Sequence, residues 1–581
     1  MTAPPPAVQL AGPGPLGRLA RVAYRNRGRV VIGWLVAIAA VAGLSAAFAG
    51  EFTADYAAPD SDSQQAQQLL EDRFPGQAGG TIDVVVRAEN GADDPAVQAD
   101  VAALLGELAE APHVAAVDDP YTEPGGIAPD GQTLLGQLTL DVANPVDMPL
   151  EETERLMATA ADAERPGLDV ALGGMPVQFA EEGEIGSEAI AMVAAALVLL
   201  VTFGSVVAAG LPLMVAVAGL GVSGMLVGLF AAVIDVPEWT TALATMLAIA
   251  LGIDYTLLMV TRFREWRAAG LDMESATVAT LDTAGRAVLV AGSTVVVSML
   301  GLFAMGLSFM RGAGAVTIAA VLIAMAAAAT LFPALLGYVG AHIDRLRLPL
   351  GRRRPVRVAE GGHVEPSRVW VGWGRLVDRH SVVASVLAVA ALLFLAAPFL
   401  GARFGFPDAG NNPEDRQTRQ AYDMIAEGFG AGFNGPLLLV ADLSDGADPG
   451  VVERVAGAAQ AAPGVAAVLP PRVNGAGDAA TVTVLPTTGP QHAETEDLVH
   501  TLRDVVLPEA TAGSGADVHV GGVTAIVIDS NANTAERLPF LIGGVVGLSM
   551  LLLLVSFRSI AIPLTAAAMN LLSVAAAYGV M

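Results

Sequence analysis

Nine stretches of this chain are each long and apolar enough to cross a bilayer, and that property removes most of the folds open to 581 residues. A helix needs about 20 residues to traverse ~30 Å of hydrocarbon. The runs lie at 30–49, 189–207, 211–234, 240–261, 286–307, 313–338, 380–400, 539–556 and 560–581. Lipid offers backbone groups no hydrogen-bond partner, so each run is predicted to be a helix. The first run follows 29 residues and is too long for the apolar core of a cleaved signal peptide, so it reads as a retained span. The Pro/Ala/Gly-rich start, Thr2 to Pro15, is predicted to be disordered.

Charge sets the orientation. Arg18, Arg21, Arg25, Arg27 and Arg29 precede the first run with no acid among them, which predicts a cytoplasmic N-terminus. Under that topology the cytoplasmic segments hold 19 of the 31 bases and 8 of the 58 acids, and the external segments hold 12 and 49. Arg262, Arg264 and Arg267 after the fourth run, and Arg352, Arg353 and Arg354 after the sixth, agree with it. One acid remains, Asp254, and it lies inside the fourth run. All the bases are arginine, and a net charge of −27 argues against a nucleic-acid partner. With no cysteine, disulfides, thiol catalysis and Cys-ligated metals are excluded; the seven histidines form no HExxH pattern. No metal or cofactor is predicted.

The remaining length divides into a cytoplasmic tail at 1–29, a span at 30–49, a polar domain at 50–188 and five spans over 189–338. An Arg-rich cytoplasmic loop at 339–379, a span at 380–400, a second polar domain at 401–538 and two spans over 539–581 follow. Both polar domains read strand–helix–strand–strand–helix–strand, the ferredoxin-like split pattern. The first has strands at Thr81–Val86, Val114–Val117, Gln132–Val142 and Leu168–Leu172, with helices at Pro95–Glu110 and Leu150–Ala163. The second has strands at Pro436–Ala441, Val465–Leu469, Thr481–Leu485 and Val518–Val520, with helices at Val451–Ala462 and Glu494–Leu507. Short matches tie the halves together. PHVAAVDDP from Pro112 resembles PGVAAVLPP from Pro463, and ALGGMPVQ from Ala171 resembles HVGGVTAI from His519. FGSVVAAGLPL from Phe203 resembles FRSIAIPL from Phe557. Both copies begin with a span leaving the cytoplasm, so the repeat is parallel. Spans three to six of the first copy have one counterpart before Met581. The offset of about 350 residues, set by these matches, predicts that the chain is a truncated piece of a longer protein with three further spans.

Asp254 carries the chemistry. It lies roughly 12 Å from the cytoplasmic end of its run and roughly 24 Å from the external end. A carboxylate at a helix centre costs about 2.5–3.5 kcal/mol, so it is expected to face the bundle interior and to load and release a proton. Its bland alternative is a hydrogen bond between helices. Tyr255, the next residue, points ~100° away and needs its own partner; interface packing is the plainer role for it. Ser293 and Thr294 on the fifth run lie near the same depth, with Ser298 beside them, although hydroxyls in spans commonly bond their own i−4 carbonyl. Gly219, Gly221, Gly224 and Gly228, and Ala324 to Ala329, read as close-packing positions.

GIDYTLLMVTRFRE from Gly252 resembles the fourth-span motif of the MMPL family, the actinobacterial-type transporters of the resistance-nodulation-division superfamily. GRAVLVAGSTVVVSMLGLF from Gly285 resembles the family's fifth span, and LFPALLGYVG from Leu331 the end of its sixth. The resemblance covers residues 20–581 and implies an α-helical polytopic membrane protein with two α+β ferredoxin-like extracytoplasmic porter domains, packed side by side as the exit path. It implies export of lipids or other hydrophobic and amphiphilic molecules across the cytoplasmic membrane, driven by the proton gradient. It implies a relay pairing the Asp-Tyr of span four, here Asp254 and Tyr255, with an Asp-Tyr of span ten, expected near position 605. The partners so implied are a lipid or hydrophobic substrate, protons and the membrane; a homo-oligomer or accessory proteins are compatible with it. Multidrug or antibiotic efflux fits the same residues. A non-transporting scaffold or sensor with partner-binding porter domains is the alternative of a different class. A membrane-embedded hydrolase lacks any HExxH, GxSxG or cysteine signal.

Overall fold

The structure, a computed structural model, describes residues 12–580 apart from 53–55, 75–79, 124, 143–147, 183–186, 344–367, 403–406, 445–447 and 449. The Arg352–Arg354 cluster and most of the Thr2–Pro15 start lie outside the described residues. The chain forms two compact units, one of Met1–Asp55, Gly186–Arg403 and Ala535–Met581, the other of Tyr56–Ile185 and Phe404–Thr534.

The first unit is helical. Among the described residues, eight helices are long and apolar enough to span a membrane. They are α2 (Arg27–Phe48), α8 (Val206–Ala231), α9 (Trp239–Ala268), the continuous helix Met273–Met305 that contains α11 (Arg286–Leu300), α12 (Ser308–Val339), the helix Ser381–Gly401 that begins with α14 (Ser381–Ala396), α19 (Val523–Phe557) and α20 (Ala561–Val580). A π turn at Leu281–Gly285 joins α11 to the short α10 (Met273–Thr280). Where a span is expected over 189–207, α7 (Ser187–Phe203) has 17 residues. The core lies between α8, α9 and α12, where Leu211, Val215, Tyr255, Met259, Phe263, Val321 and Phe332 pack together. Lipid is as apolar as these side chains, so close packing rather than transfer from water holds them. Gly252 of α9 lies against the α8 backbone, where an added Cβ would lie 2.9 Å from Cα of Ala216. The small residues expected to permit such contact divide. Gly228 fits against Ala49, whereas Gly219 and Gly224 have nothing within 4 Å.

Two amphipathic helices, α1 (Pro15–Arg25) and α13 (Arg368–Arg379), each end one residue before an apolar helix. The second lies in the stretch read from sequence as a charged loop, because Arg368, Arg375 and Arg379 leave no apolar run long enough for a span. The amides of Gly14 and Gly17 at the start of α1 donate to the Asp282 carboxylate at 3.0 and 2.8 Å. A helix N-terminus favours an anion there. Arg21 and Arg25 pair with Glu274 at 3.4 and 2.9 Å.

The second unit holds two α/β lobes. The first has β1 (Thr81–Ala88), β2 (Val114–Asp118), β3 (Thr133–Leu140) and β4 (Leu168–Gly173) in the order β2-β3-β1-β4, all antiparallel. Val84 sits opposite both Gly136 and Leu172. Alternation sends Ile82, Val84 and Val86 to the core under α4 (Pro95–Ala109) and α5 (Leu150–Ala163). The second lobe has β5 (Leu437–Asp442), β6 (Val465–Val468), β8 (Ala479–Pro486) and β9 (Asp517–Gly521) in the order β6-β8-β5-β9. The short β7 (Arg472–Val473) pairs with β8. Its covering helices are α16 (Val451–Gln460), α17 (Ala493–Thr501) and α18 (Leu507–Thr511). In the first lobe α6 (Met175–Glu182) follows β4, as α19 follows β9.

Each sheet's other face is covered by a helix from the other half of the chain. The helix α3 (Asp62–Arg73) lies on β9 and β5, and α15 (Gln417–Gly428) lies on β4, β1 and β3. Val85 and Ala171 meet Ala421, Met424 and Ile425 of α15. Glycine makes both contacts close: an added Cβ at Gly521 would come within 2.7 Å of Ala66, and one at Gly173 within 3.4 Å of Ala421. Local periodicity does not show α3, since DSQQAQQLLEDR has no apolar stripe beyond Ala66, Leu69 and Leu70.

Candidate functional site

Asp254 stands near the middle of α9, a helix of 30 residues without an internal break. Gly252 brings this stretch onto α8, which fixes the rotation of α9. The rotation turns Tyr255 and Thr256 inward, 6% and 0% exposed, and leaves Asp254 on the exposed side. The two neighbours therefore face different surroundings, as the helical step of ~100° requires.

Tyr255 is packed in the core, and its hydroxyl has no hydrogen-bond partner among the described residues. The Oγ1 of Thr256 is likewise unpartnered. A buried donor left unpaired costs about 1–3 kcal/mol, so two adjacent ones mark a stretch not selected for packing alone. Neither of the span-five candidates bonds to this pair. Thr294 donates to its own Val290 carbonyl at 2.9 Å, and Ser298 to Thr294 at 3.0 Å. Ser293 is exposed. Among the described residues, no hydrogen bond joins Asp254, Tyr255, Ser293 and Thr294 to one another.

A second constellation lies in the α/β unit, and sequence reasoning missed it. Asp62, the first residue of α3, accepts from His519 Nδ1 at 2.7 Å, from Arg503 Nε at 2.8 Å and from the Val520 amide at 2.7 Å. Arg503 also forks onto Asp529 at 2.6 and 2.9 Å and donates to the Val520 carbonyl. Burial pulls the Asp62 carboxyl upward, but the His519 and Val520 hydrogen bonds and the Arg503 charge outweigh it and hold it low. The Asp62 hydrogen bond raises His519, against an opposing effect of burial, with Asp517 and Asp442 adding to the rise. Arg503 and Asp529 are 14% and 11% exposed, so the pair is largely desolvated. Residues 62 and 503 are 441 apart, and no local spacing signals such a contact.

A third buried acid, Asp83 on β1, receives one hydrogen bond, from Gln137 at 3.1 Å, and burial raises its carboxyl. Among the described residues there is no group of three His, Cys, Asp or Glu able to hold a metal.

Comparison with known proteins agrees with the helical layout. A family model described as the MMPL family matches residues 55–384 and 439–581. The chain is 32% identical over 564 residues to the membrane protein YdfJ of Bacillus subtilis, covering 96% of this chain and 75% of that one. It is 28% identical over 537 residues to the mycolic acid-containing lipids exporter MmpL11 of Mycolicibacterium smegmatis, covering 89% of this chain and 55% of that one. In fold it resembles the hedgehog release protein Disp of the water bear Hypsibius dujardini, with a TM-score of 0.57 at 12% identity. That likeness covers 97% of this chain and 86% of that one.

Proposed function

This chain belongs to the MMPL family, and from that premise we propose that it exports lipids or other hydrophobic and amphiphilic molecules using the proton-motive force. Its membrane-spanning helices make it a multi-pass membrane protein, and MmpL11 of Mycolicibacterium smegmatis, among its relatives, is an exporter. The lipid class of substrate is supported by the similarity to MmpL11. We place it in the cytoplasmic membrane with its N-terminus inside, supported by the arginines before α2. We read the two lobes as ferredoxin-like porter domains of a parallel tandem repeat, supported by their matching strand orders.

The observation that carries proton coupling is Asp254, the one acid inside the apolar runs, at the middle of α9 and unpaired among the described residues. Charged, it is costly in hydrocarbon; protonated, it is tolerated. Its charge state therefore changes which surroundings it favours, which is the differential interaction needed to bias two conformations. Tyr255 contributes an unpartnered hydroxyl on the adjoining face, and Ser293 and Thr294 are candidate relay hydroxyls of α11.

The test is export from proteoliposomes under an imposed pH gradient. Asp254→Asn abolishes gradient-driven export while folding is unchanged, and Asp254→Glu retains part of it. Tyr255→Phe weakens export and Ser293→Ala changes it less, since bonds between spans average ~0.6 kcal/mol. Export by the Asn variant at the parental rate, or export that persists when the gradient is collapsed, would refute proton coupling through Asp254.

A further inference from the structure

A cavity of about 490 Å³ opens in the second unit, with walls from the second lobe and from the residues that lead into α15. Its lining is mainly apolar, with Pro407, Pro436, Leu437, Leu438, Pro490 and Val527. Sites for small molecules measure ~300–1,000 Å³ and are lined this way, with a few polar groups that fix orientation. Gly435 lets two walls meet, since an added Cβ there would lie 2.6 Å from Cβ of Pro490 and 2.8 Å from Oγ1 of Thr524.

Asp408 is the one charged residue of the lining among the described residues, and its place is fixed. It caps the short 3₁₀ turn Ala409–Asn411, accepting from the Gly410 amide at 3.0 Å while its own amide donates to Asn411 Oδ1 at 3.1 Å. Asn411 also accepts from Gln491 of the second lobe at 2.6 Å. The Tyr422 hydroxyl of α15 donates to Asp408 Oδ2 at 3.3 Å. Burial and the Asp408 charge push Tyr422 up to about 12, so it stays a donor. A carboxylate accepts at about four positions, and these bonds leave others open.

The related place in the first lobe is differently built. Asp83 of β1 sits opposite Gly173 and Gln137, as Leu438 of β5 sits opposite Gly521 and Thr483. Asp83 accepts from Gln137, and with Ala421 of α15 it borders Gly173. Leu438 and Thr483 border the cavity instead. The carboxylate of this region is thus moved from the strand to the cavity wall, where an apolar surface adjoins it.

We propose that the cavity holds the apolar part of an amphiphile whose cationic head is bound by Asp408. This makes Asp408 a specificity residue, and it rests on the export reading above for its purpose. An ammonium head gives the half-buried carboxylate a charge-assisted hydrogen bond. A phosphate or carboxylate head would place two like charges together in a site with no basic side chain in its lining. The apolar chain takes the leucine, valine and proline surface out of water.

The experiment is photolabelling of the whole chain in phosphatidylcholine nanodiscs. The probe is dodecylammonium with a diazirine on its chain, compared with the dodecyl phosphate and dodecanol analogues. Labelling of 434–438 and 523–527 is read by mass spectrometry against labelling of α8. The ammonium probe should exceed the phosphate probe by about tenfold, the least that a hydrogen bond to a charged group supplies. Asp408→Asn keeps an oxygen for the Gly410 amide and should remove that preference. Leu438→Trp should fill the cavity and remove labelling by all three probes, while hydrogen exchange of α15 and β5 matches the parent. Equal labelling by the ammonium and phosphate probes on the parental chain, or a preference that survives Asp408→Asn, would overturn the proposal. The labelling needs no pH gradient, so an ammonium preference without gradient-driven export supports the site and counts against the export reading alone.

Discussion

Replacing Arg503 by alanine tests whether the buried ion network fastens α3 to the second sheet. The substitution removes the bond to Asp62 at 2.8 Å, the fork onto Asp529 and the bond to the Val520 carbonyl. Two carboxylates then face each other, 28% and 11% exposed, without a cation between them. Breaking a buried pair from one side costs about 3–5 kcal/mol. Asp62 retains some water and its His519 bond, so the low end applies, about 3 kcal/mol. For a unit of this size 1 kcal/mol moves the midpoint by about 2–4 °C, so its transition should fall by about 6–12 °C. Calorimetry in detergent reads that shift, and hydrogen exchange of α3 shows where it originates. Combining Arg503→Met with Asp62→Asn and Asp529→Asn should cost less than Arg503→Ala alone, because no unpaired charge remains. A shift below about 2 °C, or loosening that begins in α8–α12 while α3 stays protected, would refute the reasoning.

The same network predicts a pH window. His519 is raised, so its contribution is complete below about pH 6.5 and is lost as pH climbs through its folded value. Asp62 is lowered, so its contribution is present above about pH 3.9 and is lost as pH falls through its folded value. Exchange of α3, corrected for intrinsic rates, should be slowest between these limits; a monotonic rise in protection to pH 9 contradicts it. Gly252→Val would push a branched side chain into the Ala216 backbone at 2.9 Å, part α8 from α9 and destabilise by about 1–3 kcal/mol. Gly224→Ala, with nothing within 4 Å, is the neutral control, and equal melting of the two variants would show that the close approach does not matter. Gly521→Leu should detach α3 for the same steric reason, read as faster exchange in α3 without change in α15.

How much of this was legible in the sequence depends on the range of the interaction. Helices such as α9 and α12 follow from apolar length, because lipid leaves a backbone no alternative. Strands such as β1, starting at Thr81 where the alternation begins, follow from local period. The fourth-span motif Gly252–Tyr255 and the mid-helix carboxylate could be read from residue type and depth alone. What could not be read was rotation: that Tyr255 turns inward and Asp254 outward is decided by the Gly252–Ala216 contact between helices. Nor could α3, the docking site of α15 or the Asp62–Arg503 pair be found, since these contacts join segments hundreds of residues apart. The amphipathic α13 was missed because its uncharged stretch, 369–374, is far shorter than a span and lies among arginines.

The exchange of helices between lobes bears on how the protein is made. Ala66 leaves the ribosome 455 residues before Gly521, the position it packs against. At ~5–20 residues per second, α3 waits roughly 20–90 s for its sheet. The face of the first sheet around Val85 and Ala171 stays bare until α15 is synthesised. Through that interval an apolar sheet surface and an orphan helix coexist on one nascent chain, open to chaperones and to mispairing with a neighbouring copy. The lobes reach their final form together, so a polypeptide cut between them would carry one uncovered sheet and one helix with nowhere to dock.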